Sequence, residues 1–235
     1  MYRNMGPELI DRTVFLEFYG LPGCGKSTIS HLVAEELRNQ GKKVIEPTYD
    51  VNHGCPTVIR KVVKLCYLAC YSMMHSEEYK GLKRLIRSNG YAGFETFIQA
   101  ANISQKLWEY DHAKSDYVIF DEGLTQSAIS LAWRTKNSAE NETVLYGLCK
   151  KRNALKYYVK VDVDKALERM AGRVRHDSRI EKIVDKDEQL RAIRIFEGEC
   201  EKIRDDCSLH DHDLQRNVRV CLSSLNICKH RSTVE

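Results

Sequence analysis

The chain has no apolar stretch long enough to cross a bilayer. Its richest segment, VIRKVVKLCYLACYSMM from Val58 to Met74, is broken by Arg60, Lys61 and Lys64 and reads as a largely buried helix. There are only four prolines, no low-complexity tract and no internal repeat, so nothing resembles a linker, and one domain spanning residues 1–235 is the expectation. A dominant charge is missing too. The 37 basic and 33 acidic residues leave a net charge of +4, which gives no general case for a nucleic-acid or membrane partner. The nine cysteines include no C-x-x-C pair, and their odd number, with the polar start MYRNMGPELIDR, favours reduced thiols and a cytoplasmic location.

What is present is an alternation of short β-branched or aromatic runs with longer helical periods. Thr13–Tyr19, Lys43–Glu46, Asp116–Asp121, Tyr157–Val163 and, more weakly, Val218–Leu222 read as five strands. Helical spacing follows the first strand (Ile29, Leu32, Val33, Leu37) and fills about 57–75, 77–88 and 94–114. Pro47 is expected to stop the second strand. Strands that alternate with helices predict an α/β fold: a five-stranded parallel sheet covered on both faces.

Between the first strand and its helix lies Gly20-Leu21-Pro22-Gly23-Cys24-Gly25-Lys26-Ser27, with Thr28 beyond it. It fits G-x-x-x-x-G-K-[ST] at every fixed position and in the right context. Glycines let backbone N–H groups converge on phosphate oxygens, and the helix N-terminus adds its positive end. Lys26 is then expected on the β- and γ-phosphates and Ser27 on Mg²⁺, with ATP as the nucleotide.

In an open parallel sheet ligands collect at the carboxyl ends of the strands. Asp121-Glu122 ends the third strand, where a carboxylate can hold Mg²⁺ directly or through water. Glu46 ends the second, so Glu46 or Asp121 is expected to accept the proton of an attacking hydroxyl. Further on, ALERMAGRVRHDSRIEK carries Arg169, Arg173, Arg175 and Arg179, the first two on one helix face. Guanidinium groups on a lid over about 172–182 would match the charge of a transferred phosphoryl group and exclude water.

With these motifs the chain resembles the P-loop kinase group that contains thymidylate kinases and deoxynucleoside kinases. The likeness runs to about Lys182 and is specific in four places: GLPGCGKST, the Glu46-Pro47 pair, the stretch AANISQKLWEYDHAKSDYVIFDEGLTQSAISLAW, and VKVDVDKALERMAGRVRHDSR. It implies a three-layer P-loop kinase fold. It also implies metal, phosphate and transition-state roles for Asp121, Arg173, Arg175 and Arg179. One departure stands out. Such kinases typically carry arginine after the third-strand carboxylate, and this chain carries Glu122. The change favours a neutral hydroxyl acceptor over a monophosphate.

The expected activity is ATP- and Mg²⁺-dependent phosphoryl transfer to a small molecule: a nucleoside, a nucleoside monophosphate or a similar hydroxyl compound. The acceptor pocket is expected between residues 57 and 114, where Tyr79, Tyr91, Phe94, Phe97, Trp108 and Tyr110 offer either stacking surfaces or core. A second reading keeps the ATP site but takes a non-nucleotide metabolite or antibiotic, because GKKVIEPTYDVNHG has a local likeness to adenylylsulfate kinases and P-loop toxins would look similar. A nucleotide-hydrolysing switch would want an N/T-K-x-D motif, which is absent after the third strand. His210-Asp211-His212 lacks matching metal ligands and reads as a surface loop. A homodimer is compatible with the chain.

Overall fold

The computed structural model describes residues 13–54, 56–133, 135–149, 154–173, 180–203, 207–210 and 213–231. Five strands, β1 (Val14–Tyr19), β2 (Val44–Ile45), β3 (Tyr117–Phe120), β4 (Ala154–Lys160) and β5 (Cys207–His210), form one sheet in the order β2-β3-β1-β4-β5. Every neighbouring pair is parallel. A parallel sheet must be covered on both faces, and β1 and β3 are correspondingly apolar at successive positions, Glu17 of β1 excepted. Side chains alternate between the two sides. Phe15, Val118 and Phe120 enter one buried cluster, while Leu16, Phe18, Tyr117 and Ile119 enter the other.

The first cluster lies beneath α3 (Thr57–Met74), α4 (Ser76–Ser88), α5 (Gly93–His112), α6 (Leu124–Leu131) and α7 (Ser138–Gly147). The second packs under α1 (Lys26–Asn39), α8 (Val163–Ala171), α9 (Lys186–Glu201) and α10 (Leu214–Arg231). The three-layer α/β architecture expected from the alternation is therefore present. No helix among the described residues is long and apolar enough to cross a membrane.

Several expectations are corrected. Val218–Leu222 is not a strand but part of α10, which starts after Asp213, whose carboxylate accepts from the Arg216 amide at 2.8 Å. Asn217, Cys221 and Leu225 recur every four residues on its buried side. The fifth strand is Cys207–His210, an edge strand burying only Leu209 and so lacking an apolar run. The second strand does stop before Pro47, as expected, but Pro47 also opens an unexpected helix, α2 (Pro47–Gly54), at the position where proline's missing N–H costs nothing. The fourth strand begins earlier than expected, at Ala154, and ends at Lys160. Segment 58–74 is helical, yet its outer side is bare: Val58, Val62, Leu65 and Met73 are 73%, 53%, 44% and 83% exposed.

Candidate phosphate-transfer site

β1 ends at Tyr19, and the chain turns at once. Gly20 has φ +147°, and a Cβ there would lie 2.5 Å from the Val159 carbonyl oxygen of β4. Gly23, at φ +85°, comes as close to Ala166 of α8, where a Cβ would meet the carbonyl oxygen at 2.8 Å. The loop is thus wedged between β4 and α8 in a form open only to glycine. Gly25, left-handed as well, caps α1 without a side-chain hydrogen bond, which leaves the first-turn amides for an anion.

Lys26 is buried, its ammonium donating to the carbonyls of Gly20 (3.1 Å) and Leu21 (3.0 Å). Two groups brace the loop from outside. The Gly20 amide donates to Gln126 Oε1 on α6 at 3.0 Å, and Arg169 Nη1 on α8 donates to the Gly23 carbonyl at 3.3 Å. Leu21 and Cys24 are buried in the core beneath the loop, and Pro22 is partly exposed.

Ser27 and Asp121 meet as expected: Ser27 Oγ donates to Asp121 Oδ2 at 2.7 Å. Asp121 is buried, and its other oxygen accepts from the Thr48 hydroxyl of α2. Glu122 is exposed and stands outside this cluster. The Ser27 hydroxyl and Asp121 carboxylate are hard oxygen donors side by side, a set that suits Mg²⁺ completed by phosphate oxygens and water. No group of three or more His, Cys, Asp or Glu among the described residues could hold an ion unaided.

Glu46 occupies a different place. It is buried, and its carboxylate accepts from Arg38 Nη1 at 2.7 Å and lies 3.1 Å from His31 Nδ1, both on α1. Burial raises its pKa above the ordinary carboxylate value despite these two neighbours. His31 stacks in turn on Tyr49 of α2 (centroids 4.2 Å apart). Glu46 thereby ties the β2–α2 corner to α1, whereas Asp121 faces the loop.

The turn that carries Asp121 rests on Glu17, the fully buried carboxylate of β1. Glu17 accepts from the Leu124 and Thr125 amides (2.6 and 2.8 Å), capping α6, and from the Tyr110 hydroxyl at 2.7 Å. A Cβ on Gly123 would sit 2.2 Å from the Glu17 carboxyl, so only glycine fits between strand and helix.

On the α5 side of this turn, Lys106 is buried and donates to Ser127 Oγ at 2.6 Å, which donates onward to the Gly123 carbonyl. Burial pulls the Lys106 pKa down, opposed mainly by the nearby Glu122 charge. Gln105, also buried, donates to the Pro47 carbonyl, and Lys64 of α3 donates to Asn102. Lys106 and Thr48 lie within stretches of family likeness, but neither is singled out there as a site residue. Helical spacing from Tyr110 (i−4) was the one signal for Lys106. Tyr91 and Tyr110 are core, Tyr110 stacking on Phe15 and Phe120, while Phe94 and Phe97 are exposed.

Arg173 lies just past α8 and pairs with the buried Glu181 carboxylate at 2.9 Å. Arg175 and Arg179 lie outside the described residues, as do Asp211 and His212.

No protein-family model matches the chain, and no curated protein matches it significantly. Its fold is that of solved structures of deoxyadenosine kinase from M. mycoides. The structure with bound dATP aligns over 91% of this chain and 100% of its own, at 18% identity and a TM-score of 0.51. The structure with products dCMP and a flexible dCDP bound aligns over 92% and 100%, at 17% identity and a TM-score of 0.50. The likeness is one of fold, with a five-stranded parallel sheet and the glycine loop after its first strand.

Proposed function

We propose that this chain is an ATP- and Mg²⁺-dependent phosphotransferase whose acceptor is the hydroxyl of a nucleoside or a compound of similar size. One observation carries the reading: the Ser27–Asp121 hydrogen bond sets a carboxylate beside the glycine loop that holds Lys26, at the carboxyl ends of β1 and β3. The kinase fold supports it, as does the dATP named with one structure of that fold.

In this reading the loop amides and Lys26 hold the phosphates of ATP, and Lys26 exchanges its loop carbonyls for phosphate oxygens. Ser27 and Asp121 hold Mg²⁺, which neutralises charge on the β- and γ-phosphates when bound. Glu122 is placed too openly to add a buried ligand and serves at most through water. Asp121, beside the loop through Ser27, is also the group that receives the acceptor's proton, whereas Glu46 is tied to Arg38 and His31 of α1. Arg173, with Arg175 and Arg179 of the lid, stabilises the transferred group. The acceptor lies against α2, α3 and α5, where no arginine follows Asp121 to greet a second phosphate. A neutral acceptor fits that side best.

The test is ATP turnover over a panel of nucleosides, nucleoside monophosphates and non-nucleotide alcohols. A correct acceptor is expected to accelerate ATP consumption strongly over slow hydrolysis, and Lys26→Ala is expected to abolish it with the fold intact. Undiminished turnover in Lys26→Ala would remove the mechanism.

A further inference from the structure

Gly20, where the glycine loop begins, is gripped at both ends of its backbone. Lys26 Nζ donates to its carbonyl at 3.1 Å, and its amide donates to Gln126 Oε1 on α6 at 3.0 Å. Gln126 is only 6% exposed. An N–H can only donate, so this bond fixes which end of the carboxamide is oxygen and which is nitrogen. The Nε2 donates to nothing among the described residues. The hydroxyls of Tyr71, Thr96 and Ser104 and the Nε2 of His75 lack hydrogen-bond partners as well, but those atoms are sealed from solvent and Gln126 Nε2 is not. We propose that Gln126 is a further catalytic residue. In the phosphoryl transfer described above, on which this inference rests, its Nε2 donates to an oxygen of the transferred phosphoryl group while its Oε1 keeps Gly20 in place.

The side chain is aimed by its surroundings. Glu17 accepts from the Leu124 and Thr125 amides, and the Ser127 hydroxyl accepts from Lys106 and donates to the Gly123 carbonyl. The residues on either side of Gln126 are therefore fixed, and its carboxamide is anchored on the loop. A donor held in this way needs little reorganisation when charge develops beside it. Its place also suits the task. α6 follows directly on Asp121-Glu122-Gly123, and Gly20 carries Gln126 on its amide and Lys26 on its carbonyl. A phosphoryl group in transfer spreads charge over three equatorial oxygens. Lys26, Mg²⁺ and the lid arginines serve them in the proposed mechanism, but none of these comes from the α6 side, where Glu122 follows Asp121. Gln126 supplies a donor there without adding a positive charge.

A purely structural tether accounts for only half of the group. Holding the Gly20 amide takes one acceptor, and the NH2 half contributes nothing to it. Stripping that half of most of its water without giving it a protein acceptor disfavours the folded chain. A phosphoryl oxygen returns the missing hydrogen bond, and returns it most strongly as negative charge builds during transfer.

The test is NMR of the full wild-type chain with isotope-labelled glutamine side chains. The Gln126 NH2 signals, identified by their loss in Gln126→Glu, are expected to shift and to exchange more slowly with water when Mg²⁺ and a non-hydrolysable ATP analogue are added. With Mg²⁺ and ADP, which lacks the transferred group, they should change far less. Signals that answer both nucleotides alike would overturn the proposal. Rates supply the second measurement. Gln126→Met keeps the length but loses both halves of the carboxamide, and is expected to lower kcat about 10–100-fold with little change in ADP affinity. Gln126→Glu keeps an acceptor for Gly20, so it should bind ADP and melt like wild type yet stay slow. Full recovery of kcat in Gln126→Glu would reduce the residue to a tether, and an unchanged kcat in Gln126→Met would remove it from the reaction. If neither nucleotide moves any signal of the wild-type chain, the phosphotransferase reading falls and the proposal with it. That outcome is distinct from a chain that binds both nucleotides and turns over ATP while Gln126 stays silent, which sinks the proposal alone.

Discussion

Thr48, near the start of α2, donates its hydroxyl to Asp121 at the end of β3, across 73 residues of sequence. Ser27 holds the other oxygen of the same carboxylate, so the glycine loop, β3 and α2 converge on one group. Thr48 is a positioning residue in this arrangement: it fixes the carboxylate plane that Ser27 shares. A hydrogen bond to a charged group contributes about 1.5–3 kcal/mol, enough for a ~10–100-fold effect. Thr48→Ala is expected to lower kcat within that range and to raise the Mg²⁺ concentration needed for half-maximal rate. Thr48→Ser should restore both. Equal rates for the alanine and serine variants would show that the hydroxyl has no such part.

Asp121 and Glu46 separate by environment, and their variants should separate too. Asp121→Asn removes the charge beside the loop and is expected to cost about 10²–10⁴ in kcat, the range of a lost proton acceptor. Glu46→Gln keeps hydrogen bonds to Arg38 and His31 and is expected to lose less than about tenfold. Its effect falls on stability instead. The Glu46 pKa is raised in the folded chain, so between the ordinary value of 4.5 and that raised value the folded state binds more protons than the unfolded one. Wild-type stability therefore falls as pH rises through this window, and Glu46→Gln should flatten the decline. Melting midpoints from pH 4 to 8 and steady-state rates at pH 7 check both halves. A larger rate loss in Glu46→Gln than in Asp121→Asn would exchange the two roles.

How far the chain discloses this site depends on what each part is made of. The glycine loop is shaped by positive-φ glycines, and such constraints leave a local pattern that Gly20 to Ser27 displays openly. The meeting of Asp121 with Ser27 was legible because strand ends in a parallel sheet bring carboxylates to the same edge as the glycine loop. Thr48, Gln126 and Lys106 were not legible, since each acts through a partner that only tertiary pairing brings near. Pro47 is ambiguous in principle, for the same ring that breaks a strand is at home in the first turn of a helix. The weak fifth strand failed for a related reason: Val218–Leu222 is too short to distinguish periods of 2 and 3.6, and its cap, Asp213, lies five residues upstream.

Lys106 carries a charge in a place that resists it. Its pKa is lowered by burial, so the folded state releases this proton more readily than the unfolded chain does. Between the folded pKa and the ordinary value of 10.5, stability should rise with pH; below the folded pKa the penalty is constant. Lys106→Met removes the penalty and is expected to stabilise the chain by about 1–3 kcal/mol, a gain that shrinks as pH approaches 10.5. The same variant should raise KM for the acceptor more than KM for ATP, because Lys106 adjoins α6 and Glu122 rather than the loop. Denaturant titrations at pH 6 and 9.5 measure the first effect. A destabilised Lys106→Met at both pH values would mean the ammonium is better satisfied than its single Ser127 hydrogen bond indicates.

In the proposed role Arg173 enters phosphoryl transfer from an existing engagement. Its guanidinium is half exposed and bound to a Glu181 carboxylate that is itself buried. A half-exposed arginine can swing at modest cost, yet the buried acid competes with phosphate for it. Glu181→Gln weakens that competitor without removing its shape. It is expected to raise kcat severalfold with little change in KM for ATP, at some loss of thermal stability. Arg173→Ala should instead reduce kcat by about 10–100-fold while changing ATP affinity little, the pattern of a group that acts mainly on the transferring phosphoryl. Combining the two substitutions decides between a competing carboxylate and a purely structural one. If Glu181 acts only by holding Arg173, the double variant should match Arg173→Ala in KM and kcat. If Glu181→Gln still changes kcat when Arg173 is gone, Glu181 acts by a route other than holding Arg173.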